Sequence, residues 1–309
     1  MKKILITGAT GQIGTDLAEE LRRIYGRDNV ITSSRRDKPE FHEAGPFESM
    51  DCTDAKAFYE LAKKHEVDTI LHLAAILSAQ GEKNPNLLWD INVNGLYNSL
   101  EVSKELGCAL FVPSSIGSFG PSTPRDHTPQ TTIQRPTTAY GISKVTGELL
   151  CDYYHLKYGL DTRGVRFPGL ISYKALPGGG TTDYAVHIYH EAKKNGHYSS
   201  YIDKGTYMDM MYMPDAVDSI IQLMEANPDK LIDRNAFNVS AMSFEPEDIK
   251  KSIQKIMPDF TMDYDVDPIR QAIADSWPNS LDTSAAREQW GFNPKFDLDK
   301  MTEDMLKNI

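Results

Sequence analysis

The chain has 309 residues, 40% of them hydrophobic and 25% charged, enough to bury a large core in one two-lobed α/β unit. Its 33 basic and 44 acidic residues leave a net charge of -11 with no dense Lys/Arg run, which excludes the usual electrostatic footprint of a nucleic-acid partner. No stretch approaches the roughly 20 apolar residues that span a bilayer, and the apolar run after Met1-Lys2-Lys3 is too short for a signal peptide, so no membrane contact and a cytoplasmic location are expected.

In chain order, Lys2–Thr7 predicts a strand, Gln12–Tyr25 a helix, Val30–Ser33 a strand and Glu48–Met50 a short third strand. Asp54–His65 predicts a helix and Thr69–Leu73 a strand. Asn86–Leu106 predicts a long helix, Cys108–Val112 a strand, Ala139–Tyr158 a second long helix and Thr162–Phe167 a closing strand. Strand alternating with helix at this pitch implies βαβ units and a parallel sheet covered on both faces. The continuous apolar runs Ile4-Leu5-Ile6 and Leu110-Phe111-Val112 agree. After about Gly169 the pattern loosens. Pro177-Gly178-Gly179-Gly180 predicts a loop, Pro214–Glu225 a helix, Phe237–Val239 a strand and Pro246–Ile256 a helix, and small helices follow. The three cysteines, Cys52, Cys108 and Cys151, have no metal-ligand spacing and read as buried free thiols. His187 and His190 lie three apart on a helical stretch near His197, with nothing to complete a metal site, and read as surface histidines.

The first strand runs into Gly8-Ala9-Thr10-Gly11-Gln12-Ile13-Gly14, which opens the first helix. Glycines here allow a tight turn and bring a phosphate close to backbone N–H groups at a helix start, so Gly8, Gly11, Gln12, Ile13 and Gly14 are candidate dinucleotide ligands. The expected architecture is a Rossmann doubly wound sheet over residues 1–169, with some later segments returning to it. Residues 170–309 mainly form a smaller α/β substrate lobe. A carboxylate at the end of the second strand would bind a ribose 2′-OH. This chain has Ser33-Ser34-Arg35-Arg36 there, and arginine suits a 2′-phosphate instead, so these residues leave NAD and NADP both open.

Tyr140-Gly141-Ile142-Ser143-Lys144 puts a phenol and an amine one helical turn apart. A tyrosine becomes a base near neutral pH when a nearby ammonium and an oxidised nicotinamide stabilise its phenolate. Ser114 and Ser115 follow the fifth long strand, at the sheet edge where ligands of such folds bind.

The GxxGxxG spacing resembles the short-chain dehydrogenase family, in which a serine or threonine stands 25 positions before the tyrosine. Ser115 meets that spacing. The resemblance implies a catalytic set of Ser115, Tyr140 and Lys144, with Tyr140 and Lys144 also touching the cofactor. It assigns Asp51 to the adenine and Leu73, Ala74 and Ala75 to the adenosine side. Asn92 has sheet support as its main task. Ser34, Arg35 and Phe167 complete the cofactor set.

Ser78-Ala79, Arg166–Ser172, Pro177–Ala185, Met210–Met213, Ala274–Pro278 and Ser280–Asp282 narrow the likeness to the short-chain-type L-threonine 3-dehydrogenases, which are similar in fold to UDP-galactose 4-epimerase. It runs almost from Met1 to Ile309. It implies metal-independent oxidation of L-threonine to 2-amino-3-oxobutyrate with NAD, a step of threonine catabolism. Ser78, Ser115, Tyr140, Thr182 and its rival Thr181 would contact the amino acid, and Trp277 would close the pocket. Asp183 reads equally as partner to an ammonium or as a helix cap. The two long helices match those that pair across a homodimer axis. The alternatives are a nucleotide-sugar epimerase or dehydratase, which would share the same catalytic set, and a non-catalytic dinucleotide sensor, which would not need Tyr140 or Lys144.

Overall fold

The computed structural model describes residues 1–37, 39–174 and 178–309. Strand β1 (Ile4–Thr7) is buried along its whole length and lies in the interior of the sheet. β2 (Val30–Ser34) and β3 (Phe47–Ser49) lie on one side. On the other come β4 (Thr69–His72), β5 (Ala109–Phe111), continued past Pro113 as β6 (Ser114–Ser115), and β7 (Thr162–Arg163), continued past Gly164 as β8 (Val165–Phe167). The order is β3-β2-β1-β4-β5-β7, with every pairing parallel. β6 pairs with β8, and Phe237–Asn238 adds beside β8 from far down the chain. The expected doubly wound α/β sheet is therefore present.

Side-chain alternation divides the core. Ile4 and Ile6 pack with Leu17 and Leu21 of helix Gln12–Tyr25 and with Val217 and Ile220 of helix Met213–Glu225. Leu5 packs on the other face with Phe58, Leu96, Leu100 and Tyr154. Cys52, Cys108 and Cys151 are buried and free, as expected. Asp54 caps helix Ala55–Lys64 by accepting from Ala57 N at 2.9 Å.

Two expectations need correcting. The long helix expected over Asn86–Leu106 is α-helical over Pro85–Trp89 and Gly95–Leu106 but opens into a π-turn over Asp90–Asn94. Within that turn the Asn92 amide leaves its own helix, donating to Ile76 O (3.1 Å) and accepting from Ile76 N (2.8 Å). His187 and His190 do lie on one helix, Tyr184–Asn195, but both are half-buried rather than on the surface.

Beyond β8, Gly169–Ile171 pairs in parallel with Met208–Tyr212, which pairs antiparallel with Met242–Phe244. His197–Ser200 pairs with Thr261–Tyr264. A separate core fills this part, with Tyr184, Tyr189, Met210, Tyr212, Phe244 and Met305 at its centre. The expected loop is present over Gly178–Gly180, and Pro177 lies outside the described residues. No helix among the described residues is long and apolar enough to cross a membrane.

Asp209 lies inside this second core, 2% exposed. Its Oδ1 accepts from Ser240 Oγ at 2.6 Å, while Oδ2 has no partner among the described residues. Burial pushes the carboxyl up to about 7. A raised carboxyl favours the folded state when protonated, so its contribution is complete below the ordinary carboxyl range and lost as pH rises through about 7. Asp209→Asn is expected to raise the melting temperature by a few degrees near pH 8, with the gain vanishing near pH 4. Thermal unfolding followed by circular dichroism at the two pH values checks this.

Candidate active site

The turn after β1 is tight because two glycines leave no room for a side chain. Gly8 has φ of 69°, and a Cβ there would lie 2.6 Å from Ala74 N. A Cβ on Gly14 would lie 2.6 Å from Ala9 Cα, so the helix can seat this closely only with glycine. Gly11 is the N-cap residue of helix Gln12–Tyr25. No side chain caps that end and no acidic residue stands in its first turn. Uncapped amides at the positive end of a 14-residue helix suit an anion such as a pyrophosphate.

This helix end opens onto a crevice of about 510 Å³ at the carboxyl edge of the sheet. Gly8, Gly11, Gln12, Ile13, Gly14, Leu73, Ala75 and Phe167 line it, with Ser115, Tyr140 and Lys144 and with Ser78, Thr181, Thr182 and Trp277. The expected catalytic, glycine-turn and substrate residues thus share one wall system. Five other expected cofactor residues are not on it. Ser34 ends the second strand and Arg35 follows it, and Arg36 lines the wall in their place. Asp51 accepts from the Thr53 amide and hydroxyl at 3.0 and 2.9 Å. Ala74 backs Gly8, and Asn92 clasps Ile76 in the chain leading to Ser78.

Tyr140 is held in the first turn of helix Ala139–Tyr158, whose start is fixed by Thr138 Oγ1 accepting from Gly141 N at 3.0 Å. Ser115 Oγ accepts from Gly117 N at 3.1 Å and begins the turn Ile116–Ser118. A Cβ on Gly117 would sit 3.0 Å from Tyr140 Cε1 and 3.4 Å from Ser115 Oγ, so ring and hydroxyl flank the same glycine. Lys144 Nζ donates to Pro113 O at 2.8 Å and lies 5.5 Å from the centroid of the Tyr140 ring.

Burial governs the charges. It pushes the Tyr140 phenol up, and the Ser115 hydrogen bond pulls it partly back. It pushes Lys144 down to about 8, against the opposing field of Glu148. The expected lowering of the phenol by Lys144 is thus absent from the protein alone. The positive charge of an oxidised nicotinamide is what would shift the balance towards phenolate.

Ser114 is occupied elsewhere, donating to buried Glu148, whereas Ser115 Oγ faces Tyr140 and Gly117. Asp183 accepts from Gly179 N and Gly180 N at 2.9 and 2.6 Å, so its carboxylate ties the glycine loop that carries Thr181 and Thr182. Thr181 is wholly buried, and its Oγ1 has no partner among the described residues. Sequence reading missed Gly117 as the shared support of Ser115 and Tyr140 and did not place Arg36 on the wall. The run Ser34-Arg35-Arg36 carried a signal for the second, since a hydroxyl before two basic residues invites a local turn.

A family model described as the NAD dependent epimerase/dehydratase family matches residues 4–240. An uncharacterised epimerase/dehydratase of Staphylococcus haemolyticus is 59% identical over 100% of this chain and 98% of its own length. The L-threonine dehydrogenase of Clostridium difficile is 62% identical and superposes with a TM-score of 0.98, over 100% of this chain and 97% of that one. A monomeric L-threonine 3-dehydrogenase from a metagenome is 46% identical with a TM-score of 0.96, over 99% and 98%. Sheet order, crevice and these likenesses agree: the chain belongs to the NAD dependent epimerase/dehydratase family, and its near structural neighbours are L-threonine 3-dehydrogenases of the extended short-chain type.

Proposed function

We propose that the protein oxidises L-threonine at its 3-hydroxyl to 2-amino-3-oxobutyrate. The observation that carries this reading is the convergence of Ser115, Tyr140 and Lys144 with Ser78, Thr181, Thr182 and Trp277 on the crevice that begins at the glycine turn. A bound nicotinamide dinucleotide supplies the acceptor for the C3 hydride. The glycine turn seats its phosphates, and Leu73, Ala75 and Phe167 border it. Ser115 holds the substrate hydroxyl beside Tyr140 Oη, which takes its proton. Lys144, tethered to Pro113 O, holds its ammonium 5.5 Å from the Tyr140 ring centroid. Ser78 and the two threonines hold the amino acid, while Trp277, 6% exposed, closes the apolar side. Residues 1–169 thus serve mainly the dinucleotide and 170–309 the substrate.

The test is the near-ultraviolet absorbance of the reduced nicotinamide with L-threonine or serine, beside chromatography of a UDP-sugar incubated with the protein, since redox-neutral turnover of the sugar leaves no net reduced cofactor. Threonine is expected to give the highest kcat/KM. Turnover of a UDP-sugar without threonine oxidation would favour the nucleotide-sugar alternative.

A homodimer belongs to the same reading. Leu149, Tyr153 and Leu156 recur at helical spacing on Ala139–Tyr158 and are 62%, 47% and 83% exposed, and Trp89 and Tyr97 are exposed on the neighbouring helical segments. Such a stripe is covered most simply by its own copy in antiparallel pairing. Sedimentation is expected to show a dimer that Leu149→Glu/Leu156→Glu converts to monomer. A monomeric parent would remove this part of the proposal.

A further inference from the structure

The structure points to a site for a 2′-phosphate at the ribose end of the crevice, where Ser34, Arg35 and Arg36 follow the second strand, and we infer that this protein binds NADP at least as tightly as NAD. The inference rests on the crevice holding a dinucleotide, and not on which alcohol is oxidised.

The strand next to β1 ends at Ser34, the place from which a carboxylate would accept a hydrogen bond from a ribose 2′-OH. Ser34 is a poor substitute. Its Oγ accepts from Arg36 N at 3.2 Å and donates to Arg36 O at 2.9 Å, so its hydrogen-bonding capacity is directed to its own turn. After that turn Arg36 stands on the wall of the crevice that Thr10 and Gly11 also line.

Among the described residues no acidic side chain forms an ion pair with Arg35 or Arg36. The one carboxylate on the wall among the described residues is Asp183, committed to the amides of Gly179 and Gly180. The acids nearest in sequence or in the adjoining strand are engaged as well. Asp37 pairs with His42 at 2.6 Å, Glu48 with Lys64 and His65, and Asp51 with Thr53. Arg35 and Arg36 are both exposed, and neither forms an ion pair with an acidic side chain among the described residues.

Arg36 on the wall and Arg35 next to it, neither ion-paired with an acid among the described residues, and no carboxylate at the strand end favour a phosphate dianion over a neutral alcohol. Guanidinium forks match phosphate oxygens, and such charge-assisted bonds are about twice as strong as neutral ones. A 2′-hydroxyl at the same place loses its usual carboxylate and gains only donors.

The test is isothermal titration of the full chain with NADP+, NAD+ and, as isolated probes, 2′-AMP and 5′-AMP. The parent is expected to bind NADP+ with a Kd equal to or below that for NAD+, and 2′-AMP more tightly than 5′-AMP. Arg35→Ala/Arg36→Ala is expected to weaken NADP+ by about tenfold or more while moving NAD+ by less than about twofold. Ser34→Asp is expected to reverse the preference. A parent that binds NAD+ about tenfold more tightly than NADP+, or an arginine variant that weakens both equally, would overturn the inference. Binding of neither dinucleotide would overturn the crevice reading with it. Binding of NADP+ without threonine oxidation would sink only the proposed reaction.

Discussion

Tyr140→Phe is expected to lower kcat by about 100- to 10,000-fold while dinucleotide binding changes less than about threefold. Only the phenolic oxygen is removed. The ring that packs against Gly117 remains, as does the Thr138 cap that fixes the helix start. In the resting protein burial holds the phenol above its ordinary range and brings Lys144 down to about 8. On the proposed mechanism the phenol would lose its proton only with the cationic cofactor bound. A phenylalanine ring has no proton to lose, so no adjustment of pH should rescue the variant. Steady-state rates beside calorimetric binding separate this from misfolding. A variant with half the parent's kcat would rule out Tyr140 as the base.

The second large effect is on stability. Glu148→Gln is expected to cost about 3–5 kcal/mol, which lowers the melting temperature by about 5–8 °C in a chain of this size. Glu148 and Arg166 have side chains only 4% and 6% exposed and meet at 2.8 Å. Glu148 also accepts from Ser114 and from Gln134 at 2.8 Å. Arg166 in turn donates to Gln130 O and Asn238 Oδ1 and lies over the Phe119 ring. The pair ties the helix of Tyr140 and Lys144 to β8 and to the segment before that helix. Removing one charge leaves the other buried and unpaired, which is the expensive case. Glu148→Met/Arg166→Met removes both charges and is expected to recover more than half of the loss. Equal losses in single and double variants would show that packing, not the unpaired charge, sets the cost.

The first half of the fold was legible because its signals are local. Helices Gln12–Tyr25 and Ala139–Tyr158 match expectation to the residue, each opening on a capping residue or glycine turn and ending before a glycine. Ser115, Tyr140 and Lys144, the proposed catalytic trio, stood out by spacing, and all three line one crevice. The second half was harder because its pairings are distant. Met208–Tyr212 is buried throughout, lacks alternation, includes Asp209, and pairs with Gly169–Ile171 nearly forty residues earlier. The π-turn at Asp90–Asn94 goes with an Asn92 side chain serving the Ile76 backbone, a contact no helical periodicity announces. Arg36 rather than Arg35 lines the crevice wall after the Ser34 hydroxyl closes a turn, a local signal that the run Ser34-Arg35-Arg36 carries but that strand and helix periodicity does not.

The central claim is hydride removal from C3 of threonine by groups gathered in one crevice. Threonine deuterated at C3 tests it directly, with the reduced cofactor isolated and its nicotinamide ring examined by mass spectrometry and proton NMR. Deuterium recovered at C4 on one face of the ring, in step with the ketone formed, is the predicted result. Deuterium released to solvent, or a reduced cofactor without label, would contradict it.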